Sequence, residues 1–319
     1  MRVRIGVTLL IVMGPAAWTG PALSRARDDG EPVPPETVLV TVNGVDVTAA
    51  DLEIEFLARG VPAESRDEFR DRFLNDLVDR ALVAAFLEKR RAPVSEQLLE
   101  RQMELVKLII ERSGEGEELE SVLARLGFTE ESLREYLSLP LAWSGYVRRT
   151  VTDDELRSYF DEHRVRFDGT EIRASQIVIV IAADAAPDAW ENAEERLAET
   201  RQQIDGGDLS FADAAREVSN SPSASKGGDL GFIPYRGQLP QPVADALFSL
   251  DVGQLSPVIR SPFGVHLVTA TDKRPGELSL EDVRDEVWRE VIEREWDRLV
   301  DAQRESARIR WRTRRPRSK

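Results

Sequence analysis

The residues that most restrict the fold are Ile177-Val178-Ile179-Val180-Ile181, five β-branched side chains in a row. Such side chains lose χ1 freedom in a helix and pack well on a pleated surface. A run with no polar alternate positions has no face to offer to water, so it suits a strand covered on both sides. Glu171 to Ile181 is therefore predicted as a buried strand, and its surroundings must supply two apolar covers. The following sequence offers them. Ala189 to Ile204 has the pattern of an amphipathic helix closed by Gly206-Gly207. Phe211 to Val218 is a short helix that Ser210 can cap. Ser219 to Gly231, rich in Ser, Pro and Gly, reads as a loop, and Val243 to Leu250 as another short helix. Val258–Arg260 and His266–Ala270 are predicted strands joined by Ser261-Pro262-Phe263-Gly264. The segment is a β-α-α-loop-α-β-β unit.

Before this unit the apolar period is different. Val38, Val40 and Val42 alternate with polar residues, Asn43-Gly44 follows, and Val45 and Val47 resume the alternation. Asn-Gly accepts the positive φ angles of a type I′ turn, so a hairpin is predicted. Thr48 with Asp51 resembles a capping box opening a helix through about Arg59. From Glu64 to Val147 apolar residues recur near a 3.6 period, with Pro93 ending one helix and Ser95 placed to cap the next. Ser113 to Gly116 is a loop, followed by shorter helices around Leu119–Leu126 and Glu130–Leu139. Thr152 with Glu155 opens a helix to about His163, and Ser279 with Asp282 opens a last long helix through about Ala307. The stretch Arg308 to Lys319 carries seven positive charges, and Ile309 and Trp311 alternate with Arg in it as an edge strand would.

Composition narrows the chemistry. The chain has no cysteine and two histidines, which excludes disulfide frameworks, thiol catalysis and cysteine metal sites, and leaves too few imidazoles for a three-histidine site. A formal charge of −15 argues against a general nucleic-acid binder. Residues 1–24 read as a secretory signal: Arg2 and Arg4, an apolar stretch from Ile5 to Met13, then small residues up to Ala22-Leu23-Ser24. An exported, periplasmic chain is the expectation, with a polar disordered leader at 25–36. Acidic pairs such as Asp153-Asp154 sit where helices begin, so no general acid and base stand out. Ser223-Ala224-Ser225-Lys226 matches S-x-x-K, but Pro222 before it and Gly227-Gly228 after it favour a loop. His163 ends a polar helix, where a cap is the simpler role.

The segment Asp208 to Val268 resembles the parvulin family of peptidyl-prolyl isomerases. The resemblance rests on Phe211-Ala212-Asp213-Ala214-Ala215-Arg216-Glu217-Val218-Ser219, Gly227-Gly228-Asp229-Leu230-Gly231-Phe232, Leu247-Phe248-Ser249-Leu250, Gly253-Gln254-Leu255-Ser256-Pro257-Val258 and Phe263-Gly264-Val265-His266-Leu267, in that order. The hairpin, helical segment and closing helix around it resemble the SurA/PrsA group of secreted foldases. The resemblance implies an α+β fold: a helical chaperone-like module at 37–168, a parvulin domain at 169–273 with a small antiparallel sheet, and a C-terminal helix and tail at 274–319 that return to the first module. It implies unfolded exported polypeptides as partners, with no cofactor, no metal and no nucleic acid. Membrane contact would come only through the basic tail.

The chemistry that the resemblance implies is non-covalent. Rotating a peptide bond costs about 18–20 kcal/mol because resonance is broken, while the two X–Pro isomers are nearly balanced. An apolar pocket that grips the proline ring desolvates the carbonyl, and polar groups beside it steer the twisted amide. By position, the family's second histidine is His266, its first histidine falls on Gln176, and its Cys/Asp position falls on Ser221. The proline pocket falls on Leu230, Leu239, Val243 and Phe263. Gln176 does not titrate, Ser221 is neutral, and Val243 stands where active relatives commonly have Phe. Two readings follow: an isomerase with an altered polar floor, or a chaperone of the same fold that binds unfolded chains without catalysis.

Overall fold

A computed structural model describes residues 33–113, 119–125, 129–182 and 185–312. The predicted signal segment, most of the leader, the Gly114–Gly116 loop and the tail beyond Arg312 lie outside the described residues. The chain divides into two units, one formed by residues up to Thr152 together with those from Glu290, the other by Asp153–Arg289.

The first unit is mainly helical. Strands β1 (Val38–Val42) and β2 (Val45–Thr48) form the predicted hairpin, with Asn43 and Gly44 at φ 53° and 94°. Helix α1 (Ala49–Ala58) opens on the predicted box, in which Thr48 N–H donates to Asp51 Oδ2 at 2.7 Å and Asp51 N–H to Thr48 Oγ1 at 3.4 Å. Then come α2 (Arg66–Lys89), α3 (Glu96–Ser113), α4 (Leu119–Arg125) and α5 (Glu130–Thr150). Helix α2 buries Phe73, Leu74, Leu77, Val78 and Leu82 against Leu39, Val40 and Val42 of β1.

Helix α5 corrects the expected end near Leu139: it runs on through Pro140. An interior proline cannot donate to the carbonyl four residues back, that of Tyr136. Here Arg80 Nη2 from α2 donates to that carbonyl at 3.3 Å, so the acceptor is satisfied from another helix. The chain returns to this unit through the later part of α10 (Arg284–Ser306) and β7 (Ile309–Trp311). Strand β7 pairs antiparallel with β1, giving the order β2-β1-β7.

The second unit holds α6 (Asp153–Glu162), β3 (Glu171–Val180), α7 (Pro187–Asp205), α8 (Phe211–Val218), β4 (Asp229–Pro234), α9 (Gln241–Phe248), β5 (Ile259–Ser261) and β6 (Gly264–Arg274). The sheet is antiparallel in the order β4-β3-β6-β5, with β3 and β6 central. The predicted strand is covered on both faces along most of its length, but it ends one residue early, at Val180, which is 58% exposed. Ile172 and Ala174 of β3 pack with Val268 and Ala270 of β6 under Val243, Ala244 and Leu247 of α9. Ile177 and Ile181 pack with Val265 and Leu267 under α7 and α8, where Leu197, Ala214 and Ala215 are buried. Fully burying each large aliphatic side chain contributes about 1.5–3 kcal/mol.

Strand β4 begins inside the predicted Ser219–Gly231 loop and corrects it. Asp229 and Gly231 are poor strand formers. They are held by pairing to β3 across a register shift at Ala174/Ser175, where Gly228 and Gly231 take φ 83° and 71°. The last helix also starts later than expected. Ser279 and Asp282 do form a cap, Ser279 Oγ donating to Asp282 Oδ2 at 2.6 Å, but a turn intervenes before α10 begins at Arg284.

The two ends of this unit are laced together. Leu278 N–H donates to the Asp168 carbonyl at 2.9 Å, and Gly276 N–H to Thr170 Oγ1 at 3.1 Å. A Cβ on Gly276 would lie 1.9 Å from the Asp168 oxygen, so this approach requires glycine. Beyond it, Arg157 pairs with Glu281 at 3.0 Å, and Arg284 with Asp153.

Candidate functional site

The central strands place two of the predicted residues. In the β3–β6 ladder Gln176 lies opposite Val268 and Val178 opposite His266. Opposed residues, and residues two apart on one strand, share a face. Gln176 and His266 therefore lie on the same face as the cluster under α9, which includes Val243 and, partly buried, Leu230 and Leu239.

The loop after α8 takes the edge of β3 that β4 leaves free. Asn220 N–H donates to the Val178 carbonyl at 2.8 Å, and Val178 N–H to Ser219 Oγ at 3.1 Å. Gln176 N–H donates to the Gly228 carbonyl at 3.0 Å. A Cβ on Gly228 would meet the Gln176 carbonyl oxygen at 2.4 Å, which explains the glycine there. Ser221 thus sits on a loop pinned to the strand opposite His266. Its hydroxyl lies 3.1 Å from Ser219 Oγ and 2.8 Å from Ser223 Oγ, so three serines form one hydroxyl chain. Ser223–Lys226 is a single tight turn whose lysine N–H bonds back to the Ser223 carbonyl, not the helical start that S-x-x-K chemistry needs.

Of the apolar positions, Val243 is fully buried and forms part of the cluster's base, while Phe263 is 64% exposed in the β5–β6 turn. The turn is fixed by Ile181 N–H donating to the Phe263 carbonyl at 3.2 Å. Asp229 at the start of β4 is ion-paired to Arg173 at 2.8 Å and also accepts the Gly231 N–H. The bond from Arg173 and that backbone donor hold its carboxyl below the usual range, so it stays charged and occupied by β3.

His266 is 4% exposed, and its Nε2 lies 2.7 Å from Ser261 Oγ. Burial pushes the imidazole down to about 4, so it is neutral at pH 7. From the sequence, Ser261 is only a residue of the predicted turn. Its contact depends on β5 pairing with β6, which puts Ile259 opposite His266 and Ser261 opposite Gly264. No local pattern announces that pairing. Among the described residues there is no cluster of three or more metal-ligating side chains.

Residues 151–285 match a domain family described as the PPIC-type PPIASE domain. The chain carries a parvulin-type domain. The parvulin domain spans the sheet, its covering helices and the whole of the candidate site. The chain is 28% identical over 233 residues to the foldase protein PrsA of Halalkalibacterium halodurans, covering 70% of this chain and 65% of that one. It is 27% identical over 293 residues to the chaperone SurA of Chromohalobacter salexigens, covering 86% of this chain and 63% of that one. It thus spans slightly under two thirds of the length of these curated relatives. A crystal structure of the peptidylprolyl isomerase PrsA from Bacillus anthracis aligns with a TM-score of 0.43 and 20% identity, covering 73% of this chain and 96% of that one. Among the described residues no helix is long and apolar enough to cross a membrane.

Proposed function

We propose that the protein is an exported peptidyl-prolyl cis-trans isomerase that acts on unfolded client polypeptides. The observation that carries this reading is the placement of His266 and Gln176 on the one face of a parvulin sheet that also holds Leu230, Leu239 and Val243. In this reading the apolar cluster, together with the exposed ring of Phe263, receives the proline ring. Burial of the X–Pro carbonyl disfavours the charge-separated form of the amide and lowers the barrier to rotation. His266, neutral at pH 7, and the hydroxyl of Ser221 act as hydrogen-bonding groups toward the twisted amide, and Gln176 offers one donor and one acceptor end. No bond is made to the protein and no proton needs to move. The segment 1–24 would direct export, the periplasm is the proposed compartment, and the basic tail is the one part suited to an anionic surface.

A second reading is favoured by three observations at the same site: a non-titrating Gln176, a neutral Ser221 and a fully buried Val243. It is a chaperone that binds clients without accelerating rotation. A proline-tetrapeptide isomerisation assay, run beside an aggregation-protection assay, separates the two. The isomerase reading expects a rate above background that falls in His266→Ala and rises in Gln176→His. A background rate with clients still protected would leave the chaperone reading alone.

A further inference from the structure

Cations gather at one edge of the three-stranded sheet in the helical unit. Ala307, Ile309 and Trp311 pack against the apolar cluster of β1 and α2, while Arg308, Arg310 and Arg312 between them are exposed. The backbone holds this alternation along its whole length. Arg308 N–H donates to Asn43 Oδ1 at 2.9 Å, and Asn43 N–H to the Arg308 carbonyl at 3.0 Å. Arg310 lies opposite Thr41, and Arg312 N–H donates to the Leu39 carbonyl at 2.9 Å. Residues two apart on a strand point the same way at a spacing of about 6.5–7 Å, so three guanidinium groups stand in one row. Among the described residues, none of the three has a side-chain hydrogen bond or an ion pair. By contrast, Arg304 near the end of α10 is taken by Asp79 at 2.6 Å. The sequence adds Arg314, Arg315, Arg317 and Lys319, and 308–319 has no acid in a chain of formal charge −15.

Guarding an edge strand against pairing takes a charge or two, of either sign. A run of one sign, unpaired and in so acidic a chain, calls for an anion. The surroundings of the row say which kind. Arg310 has the neutral Thr41 opposite it, and Thr41 has Asp46 opposite it on β2, the Thr41 hydroxyl donating to the Asp46 carboxylate at 2.7 Å. A linear polyanion laid across the sheet would meet that acid. A plane met edge-on along β7 would meet the cations first. We infer that the exposed row on β7, together with 313–319, is a docking strip for an anionic lipid bilayer. This rests on the export reading and names its surface, and it assigns the contact to arginines fixed in a strand as well as to the tail. A cation near an anionic leaflet strengthens binding about fivefold. The attachment is therefore cumulative, reversible and sensitive to salt.

The test uses the exported form, residues 25–319, with vesicles of phosphatidylcholine alone or mixed with an equal part of phosphatidylglycerol. Cosedimentation is expected with the mixed vesicles at low salt, and its loss at high salt. Arg308→Gln, Arg310→Gln and Arg312→Gln together should weaken binding about 100-fold, and a chain ending at Arg312 should weaken it by at least as much. Glu at the same three positions should abolish binding yet leave the urea midpoint where it was, because an edge is guarded by either sign. If the Glu variant unfolds, the Gln variant and the truncation decide. Three results would overturn the inference: full binding by the Gln variant, equal binding to phosphatidylcholine alone, or tighter binding to soluble polyphosphate than to the vesicles, which would make the partner a linear polyanion. The proline site is untouched in all of these variants, so their tetrapeptide rate should equal that of the parent. A background rate with vesicle binding intact would remove the isomerase reading and leave the docking strip standing. A normal rate with no vesicle binding would remove the strip alone.

Discussion

The two units bury polar groups in opposite ways. In the helical unit the buried centre is charged. Glu55 of α1 is fully buried, 2.8 Å from Arg59 Nη2 and 3.8 Å from Arg80 Nε, and Arg59 also holds Asp76 at 2.8 Å. The Arg59 guanidinium stands over Phe73 and that of Arg80 over Tyr136. Burial, with the negative charge of Glu55, pushes the Tyr136 hydroxyl up to about 12. In the parvulin domain the buried pair His266 and Ser261 is neutral, beside a half-buried chain of serine hydroxyls. The ion pairs of Glu55 with Arg59 and Arg80, and the stacking of Arg80 on Tyr136, tie α1, α2 and α5 into one arrangement. A neutral centre imposes no such ties, so single contacts in it change at a lower cost.

The contrast can be broken at its strongest point first. Removing Glu55 as Glu55→Ala leaves Arg80 without its buried partner, and should destabilise the helical unit by about 3–5 kcal/mol in urea unfolding. By comparison, Ser221→Ala should change stability by less than about 1 kcal/mol, since its partners are other hydroxyls. Equal losses would mean that the two centres do not differ in kind. Gly228→Ala should fall between them. It puts a Cβ at φ 83° against the Gln176 carbonyl, with strain of about 1–3 kcal/mol, and should shift amide signals along the Ser219–Gly228 loop. The smallest effect is on pH dependence. His266 is depressed in the folded state from 6.5 to about 4. The unfolded chain therefore binds the proton first as pH falls. The stability of the parvulin domain should be full above about 6.5 and decline toward pH 4. The slope should be reduced in His266→Asn, and an unchanged slope would show that the ring is not buried in neutral form.

Legibility follows the range of the forces. The Asn43-Gly44 hairpin and the Thr48/Asp51 box are complete within a few residues, so sequence alone discloses them. The run Ile177–Ile181 discloses the strand from its β-branched side chains, though not that Val180 at its end stays exposed. Strand β4 is hidden because Asp229 and Gly231 are strand residues only when β3 is beside them. The passage of α5 through Pro140 is hidden because the compensating donor, Arg80, comes from another helix. The site divides the same way. His266 is carried by the motif Phe263-Gly264-Val265-His266, whereas its partner Ser261 and the serine chain depend on strand pairing and loop docking that no local pattern contains.

The lacing of Asp168 to Leu278 and Thr170 to Gly276 has a consequence for timing. The parvulin domain is continuous in the chain, and its ends are tied to each other. The helical unit is not: Val40 pairs with Trp311, Trp143 donates to the Ile292 carbonyl, and Arg304 reaches Asp79. A chain delivered from its N-terminus can finish the inserted domain while its host still lacks a strand and most of a helix. The host closes its loop over a partner that is already rigid, so the long connection from α5 to α10 adds little entropy to that last step.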